Sequence, residues 1–210
     1  MVLAIFGATG QVGRQLVKQA LFGGHQVKAF GRNVFTEFNK DEKNLELVKG
    51  GVFDEKDVYH TIMGCDAVLS ALGGSFDGTD KSRSLGMKNI VQQMQKAGVK
   101  RIVALGGMGI LNYDETTLLI DTEDYPKEYI PVGNEHRKAY EYLNNSGLDW
   151  TFVCSPDIIN ADATGEFITS ANYPPQPNKF KINAGDLALF MLGEVSKNNY
   201  VKERVGISMQ

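Results

Sequence analysis

A doubly wound α/β fold, with a mostly parallel sheet carrying helices on both faces, is what this sequence predicts. Short apolar runs alternate with helical patterns along the chain, the arrangement that builds βαβ units. The first run, "VLAIF" at 2–6, passes directly into "GATGQVG", so Gly7, Gly10 and Gly13 stand three apart between a strand and a helix. A length of 210 residues with 42% hydrophobic content suits one domain, 1–210, with a sizeable core.

The elements follow in order. Residues 2–6 form a buried strand by length and apolarity, and 11–22 a helix with Val12, Leu16 and Ala20 on one face. "QVKAFG" at 26–31 is the second strand and 45–49 a weak third, followed by a helix over 56–63. "CDAVLSAL" at 65–72 is a clear strand, and the helix over 84–96 stops at Gly98. "KRIVALGG" at 100–107 is the fifth strand. A helix over 134–145 ends at "NSG", "LDWTFVCSP" at 148–156 is the sixth strand, and a last helix covers 184–196. The proline cluster "YPPQPNK" at 173–179 reads as a loop.

The bulk numbers exclude some functions. A formal net charge of −3 gives no nucleic-acid footprint. No run is long enough to span a bilayer, and the start lacks a basic signal region, so a cytoplasmic location is expected. Cys65 and Cys154 sit in apolar stretches and read as buried free thiols. No metal is expected.

Ligands of such sheets lie at the carboxyl ends of the strands, near the point where strand order reverses. There, Gly7 permits a sharp turn, Gly10 lets backbone N–H groups approach a pyrophosphate, and Gly13 allows close helix–sheet packing. The helix start adds unpaired donors and partial positive charge, so a dinucleotide site is expected. A site favouring NAD places an acid about 20 residues further on, against the ribose 2′-hydroxyl. Here the second strand ends "AFGRN", with Arg32 and no acid beside it, which predicts NADP(H) over NAD(H).

Many reductases on this fold use a Tyr-x-x-x-Lys pair as their acid. None of the eight tyrosines has lysine four residues on, and "LGGMG" at 105–109 has glycine where a hydroxyl would stand. His136, one turn before Tyr140, is left as proton donor, ribose contact or surface histidine, with the ribose contact preferred. His25 and His60 read as structural or solvated. Asp157 after "SP" reads as a cap or as a group ordering the site. The stretch 106–131 is longer than a connection needs and suits a lid over a flat acceptor, and 157–182 reads as a second substrate-side loop.

Taken together, "AIFGATGQVG", "AFGRN", "VALGGMG", "IDTEDYPKEYIP", "YEYLNNSGLDWTFVCSP" and "AGDLALFML" resemble the atypical short-chain dehydrogenase/reductases. Within them the chain is similar to bacterial NAD(P)H-flavin-reductase-like and NmrA-like proteins and to biliverdin-IXβ/flavin reductase. The resemblance implies an NADPH-binding domain, monomeric or a small homo-oligomer, that passes hydride to a loosely held flavin, quinone or tetrapyrrole-like acceptor. It assigns the pyrophosphate to Gly7, Thr9, Gly10, Gln11 and Val12, and the 2′-phosphate to Arg32. Leu72, Gly73, Leu105, His136 and Ile158 would line the ribose and nicotinamide. The chain departs from the pattern at Gly51, Gly107 and Asp157, where the relatives carry Asp, Ser and His, and these gaps weigh against tetrapyrrole reduction. A non-catalytic NADP(H) sensor is the alternative reading, since lost hydroxyls are what such a protein would show.

Overall fold

The computed structural model describes residues 1–210. The chain runs β1 (Val2–Phe6), α1 (Gln11–Phe22), β2 (Gln26–Gly31), a single turn α2 (Val34–Glu37), β3 (Leu45–Lys49) and α3 (Glu55–Ile62). It continues through β4 (Ala67–Ser70), α4 (Ser84–Ala97), β5 (Arg101–Gly107), α5 (Ile130–Asn144) and β6 (Asp149–Ser155). The last part holds β7 (Asp157–Ile159), β8 (Phe167–Ala171), β9 (Lys181–Asn183), α6 (Ala184–Lys197) and β10 (Glu203–Met209).

Eight strands form one sheet in the order β3-β2-β1-β4-β5-β6-β10-β8, parallel except where β8 pairs antiparallel with β10. Side chains alternate across the sheet. Leu3 and Ile5 point into a core under α1 and α6, while Ala4 and Phe6 point into the core under α3, α4 and α5. The chain leaves β1 for β2 and β3, then returns to β4 on the other side of β1. The crevice this reversal opens at the carboxyl ends of β1 and β4 is where ligands of such sheets bind. No helix is long and apolar enough to cross a membrane.

Several sequence expectations are corrected. The helix expected from 134 starts at Ile130, because Pro131 in its first turn needs no hydrogen-bond partner there. The strand expected over 65–72 is only Ala67–Ser70. The stretch 157–182 is not simply a loop: it contains β7, β8 and β9, and β8 extends the main sheet. β10 was not expected at all. Its Gly206 looks like a strand breaker, yet a Cβ there would lie 2.5 Å from the Tyr173 carbonyl, so the residue is small because a loop crosses it. The stretch 106–131 carries three 3-10 turns (Met108–Ile110, Leu119–Asp121, Lys127–Tyr129), with Ile110, Leu111 and Ile120 buried beneath it. Cys65 and Cys154 are buried free thiols.

Two buried polar clusters hold this frame. Arg101, at the amino end of β5, reaches Glu194 of α6 at 3.2 Å and donates to the carbonyls of Glu194 and Asp149. Burial pulls its guanidinium below the usual range, opposed by Glu194 and Asp149. At the start of α6, fully buried Asp186 accepts from Thr164 N–H (2.8 Å), Thr164 Oγ1 (2.9 Å), Gly165 N–H (2.7 Å) and Asn183 Nδ2 (2.9 Å). "AGDLALFML" is therefore a structural clasp, its Gly185 lying where a Cβ would meet the Ala163 nitrogen at 2.1 Å.

Candidate functional site

A cleft of about 1970 Å³ opens along the carboxyl ends of the strands. All eleven residues singled out from the sequence line it: Gly7, Thr9, Gly10, Gln11, Val12, Arg32, Leu72, Gly73, Leu105, His136 and Ile158. At one end, the turn after β1 is built by two glycines with different reasons to be glycine. Gly7 has φ +74°, and a Cβ on it would press on the Ala71 carbonyl at 2.4 Å. A Cβ on Gly13 would sit 2.0 Å from the Gly7 carbonyl oxygen, so only glycine lets α1 come so close.

Gly10 is different. Its Cβ would meet only the Gly7 carbonyl, at 3.3 Å, with the cleft beyond. α1 starts there with no side-chain cap and no acid in its first turn, leaving its partial positive end uncompensated. Arg32, just after β2, is exposed and in no ion pair, and Glu37 of α2 pairs with Arg14 at 3.1 Å. Gly51 in the loop after β3 has nothing within 4 Å of a Cβ, and its N–H donates to the Asp57 carboxylate at 3.3 Å.

The other end lies between the segments after β4, β5 and β6. His136 projects from the second turn of α5, so it is no surface histidine. Its ring lies against Gly107, where a Cβ would be 2.8 Å from Cδ2. The departure from serine at position 107 thus has a steric counterpart: the imidazole occupies that space. One edge of the ring reaches the cleft, but Nδ1 is buried without a hydrogen-bond partner. Burial, aided by the charge of Arg83, pushes the imidazole pKa down to about 3. Asp157 has an exposed carboxylate on the cleft wall. Tyr140 does not reach the cleft; it packs against Trp150 and Phe152 beneath the Arg204 guanidinium.

Two residues that sequence reasoning missed complete this end. Arg83, buried just before α4, donates to the carbonyls of Gly74 and Ser75 at 3.0 Å and lies 5.6 Å from the Phe76 ring centre. It fixes the segment after β4, and its Nε has no partner. Tyr125 places its hydroxyl where a Cβ on Gly109 would be, and burial raises its pKa, keeping the phenol protonated. No lysine spacing marks either residue. Exposed aromatic rings (Phe76, Tyr113, Tyr129, Tyr173 and Phe180) rim the mouth.

The comparisons agree with this geometry. A family model described as NAD(P)H-binding matches residues 7–198. A solved structure from Burkholderia pseudomallei, of a protein provisionally named as exported, is 32% identical with TM-score 0.84 over 99% of both chains. A Streptococcus pneumoniae protein provisionally named as an NADH-flavin reductase is 29% identical with TM-score 0.83 over the full length of both. The uncharacterized protein YwnB of Bacillus subtilis is 27% identical over 97% of this chain and 96% of its own. Other curated relatives are longer, the chain spanning 64% of one and 61% of another. The glycine turn, the open helix start and the full-length match together make this chain a member of the NAD(P)H-binding family, with an atypical short-chain dehydrogenase/reductase-like Rossmann fold.

Proposed function

We propose that the protein is an NADPH-dependent reductase that passes hydride to a flavin or a similarly flat acceptor. The observation that carries the reading is the pairing of a complete dinucleotide cradle with a reaction end that has no phenol–lysine acid. The uncapped start of α1 and the space over Gly10 fit a pyrophosphate, and the unpaired Arg32 fits a 2′-phosphate. Gly7, Thr9, Gln11 and Val12 complete the phosphate cradle, and Leu72, Gly73, Leu105 and Ile158 line the ribose and nicotinamide end. The bound dinucleotide supplies a hydride, and a flavin accepts it together with a proton that solvent can deliver.

What the chain does is orient and enclose. Two flat rings held in register at reacting distance need little else, since pre-positioning alone supplies much of the rate. His136 serves this as a neutral imidazole toward the nicotinamide ribose. With its pKa near 3, it holds no imidazolium proton to give at neutral pH. The sign also bears on stability: the unfolded chain protonates this histidine from about pH 6.5 downward while the native one resists. The contribution of His136 to stability is thus present above pH 6.5 and is lost as pH falls toward 3. Between pH 5 and 8, kcat/KM should show no step near 6.5 from this group. His136→Gln should raise the KM for NADPH several-fold with little change in kcat. A fall of 10²–10⁴-fold in kcat with unchanged NADPH affinity would instead make it a general acid.

Arg32 gives the cofactor test. Arg32→Glu should weaken NADPH by at least the ~1.5–3 kcal/mol of a charge-assisted hydrogen bond, with NADH affected less. Calorimetry on both nucleotides checks this, and equal affinities in the unaltered protein would remove the NADP preference. For the reaction itself, the protein is incubated with NADPH and a panel of flavins and quinones while nicotinamide absorbance is followed. Turnover above the uncatalysed rate is expected; tight NADPH binding with no turnover would favour a nucleotide sensor.

A further inference from the structure

We infer that the acceptor half of the cleft selects its substrate by charge, taking uncharged flat acceptors such as riboflavin and rejecting phosphorylated ones such as FMN. The inference rests on the reductase reading and adds to it which member of the acceptor class is used. Its basis is the way charge is distributed along the cleft.

At the α1 end, Arg32 is the only charged side chain on the wall. Beyond Leu72 the wall carries six carboxylates: Asp80, Asp114, Asp121, Glu123, Asp124 and Asp157. Asp121 is paired with Arg137, and Asp80 lies beside Arg83. The other four have no ion-pair partner. The carboxylates do not make a site in themselves; they wall a cavity that already has an aromatic rim and a buried floor. Two nitrogens of that floor, Nδ1 of His136 and Nε of Arg83, are buried without partners. Neither supplies a free cation: the imidazole is neutral, and the guanidinium is committed to the carbonyls of Gly74 and Ser75. Lys127 and Lys179 belong to neighbouring segments but do not line the cleft.

A cleft wall whose unpaired charges are all of one sign focuses its field and works as a repulsive filter. The isoalloxazine ring is the same in riboflavin and FMN; they differ by a dianionic phosphate on a flexible tail. With the dinucleotide holding the α1 end and Arg32, that phosphate has no cation left to meet and must lie near unpaired carboxylates. FMN is penalised for its tail and riboflavin is not.

The test compares the two flavins with saturating NADPH at about 10 mM and about 300 mM salt. Riboflavin should show kcat/KM about tenfold above FMN at low salt, and the ratio should shrink at high salt as the Debye length falls below the tail's reach. The exposed-loop double variant E123Q/D124N should raise the FMN-to-riboflavin ratio at least threefold at low salt. FMN used as well as riboflavin, or a ratio indifferent to both salt and substitution, would overturn the inference while leaving the reductase reading intact. Flavin fluorescence quenching on the protein saturated with NADP+ gives a readout without turnover. If nothing is reduced but riboflavin still binds more tightly than FMN with the same salt dependence, the charge filter stands and the reductase reading falls. If neither flavin binds, both fall.

Discussion

Gly10→Val is expected to lower NADPH affinity at least a hundredfold while the protein stays folded. The backbone at Gly10 (φ −75°, ψ 167°) is open to any residue, and the only neighbour of an added Cβ is one carbonyl oxygen at 3.3 Å. A branched residue at the helix N-cap costs about 1 kcal/mol, or about 2–4 °C in melting temperature for a chain of this size. The binding loss is of another order, because the isopropyl group would stand over the donors that receive the pyrophosphate. The same substitution at Gly13 would not be informative, since a Cβ 2.0 Å from the Gly7 oxygen attacks the fold itself. Calorimetric titration with a thermal melt on one sample separates the two effects. Normal NADPH affinity in a folded Gly10→Val protein would reduce the glycine turn to a mere strand–helix connection.

Arg101→Met is expected to act the opposite way, costing about 3–5 kcal/mol of stability with NADPH affinity unchanged in the folded fraction. Glu194 is 1% exposed, and losing the guanidinium leaves its carboxylate buried with only the Tyr200 N–H at 2.8 Å. Carbonyls of Asp149 and Glu194 lose their donor as well. For a chain of this size the melting temperature should fall by about 6–20 °C. Arg101 begins β5 and the cleft lies at its far end, so cofactor binding is not touched. Arg101→Met combined with Glu194→Met should recover much of the loss, because the cost comes from a stranded charge more than from a missing attraction. A single variant within 1 kcal/mol of the parent would show that the pair is not buried in solution.

How much of this was legible beforehand depended on distance along the chain. The turn at Gly7–Gly13, the strand at 2–6 and the helix at 11–22 are local patterns, and the structure reproduces them to the residue. β8 and β10 were not legible because each mixes apolar with small or polar residues and takes its form from pairing across more than thirty positions of chain. The cleft residues of the first turn could be named since the spacing of Gly7, Gly10 and Gly13 is what shapes that turn. Arg83 and Tyr125 could not, because what brings them to the cleft is the folding of the segments after β4 and β5. His136 was legible as a candidate, whereas its neutrality was not, being a property of burial rather than of sequence.

The Asp186 clasp joins one wall of the cleft to the α1 side of the molecule. Asp186 ties the 160–166 segment to the first turn of α6, and that turn is joined to α1 through Gln19, whose Nε2 donates to the Gly185 carbonyl at 2.9 Å. Gln15 and Lys18 of α1 reach Asp162 in the same segment. α1 and the wall on the β7 side are therefore joined by a continuous set of hydrogen bonds. The opposite wall, residues 112–129, is held by other ties: Asn112 accepts from Arg204 at 2.8 Å, Asp121 pairs with Arg137, and Ile120 is buried beneath it. The two walls of the cleft are thus anchored to different parts of the fold, one to α1 and α6 and the other to α5 and β10.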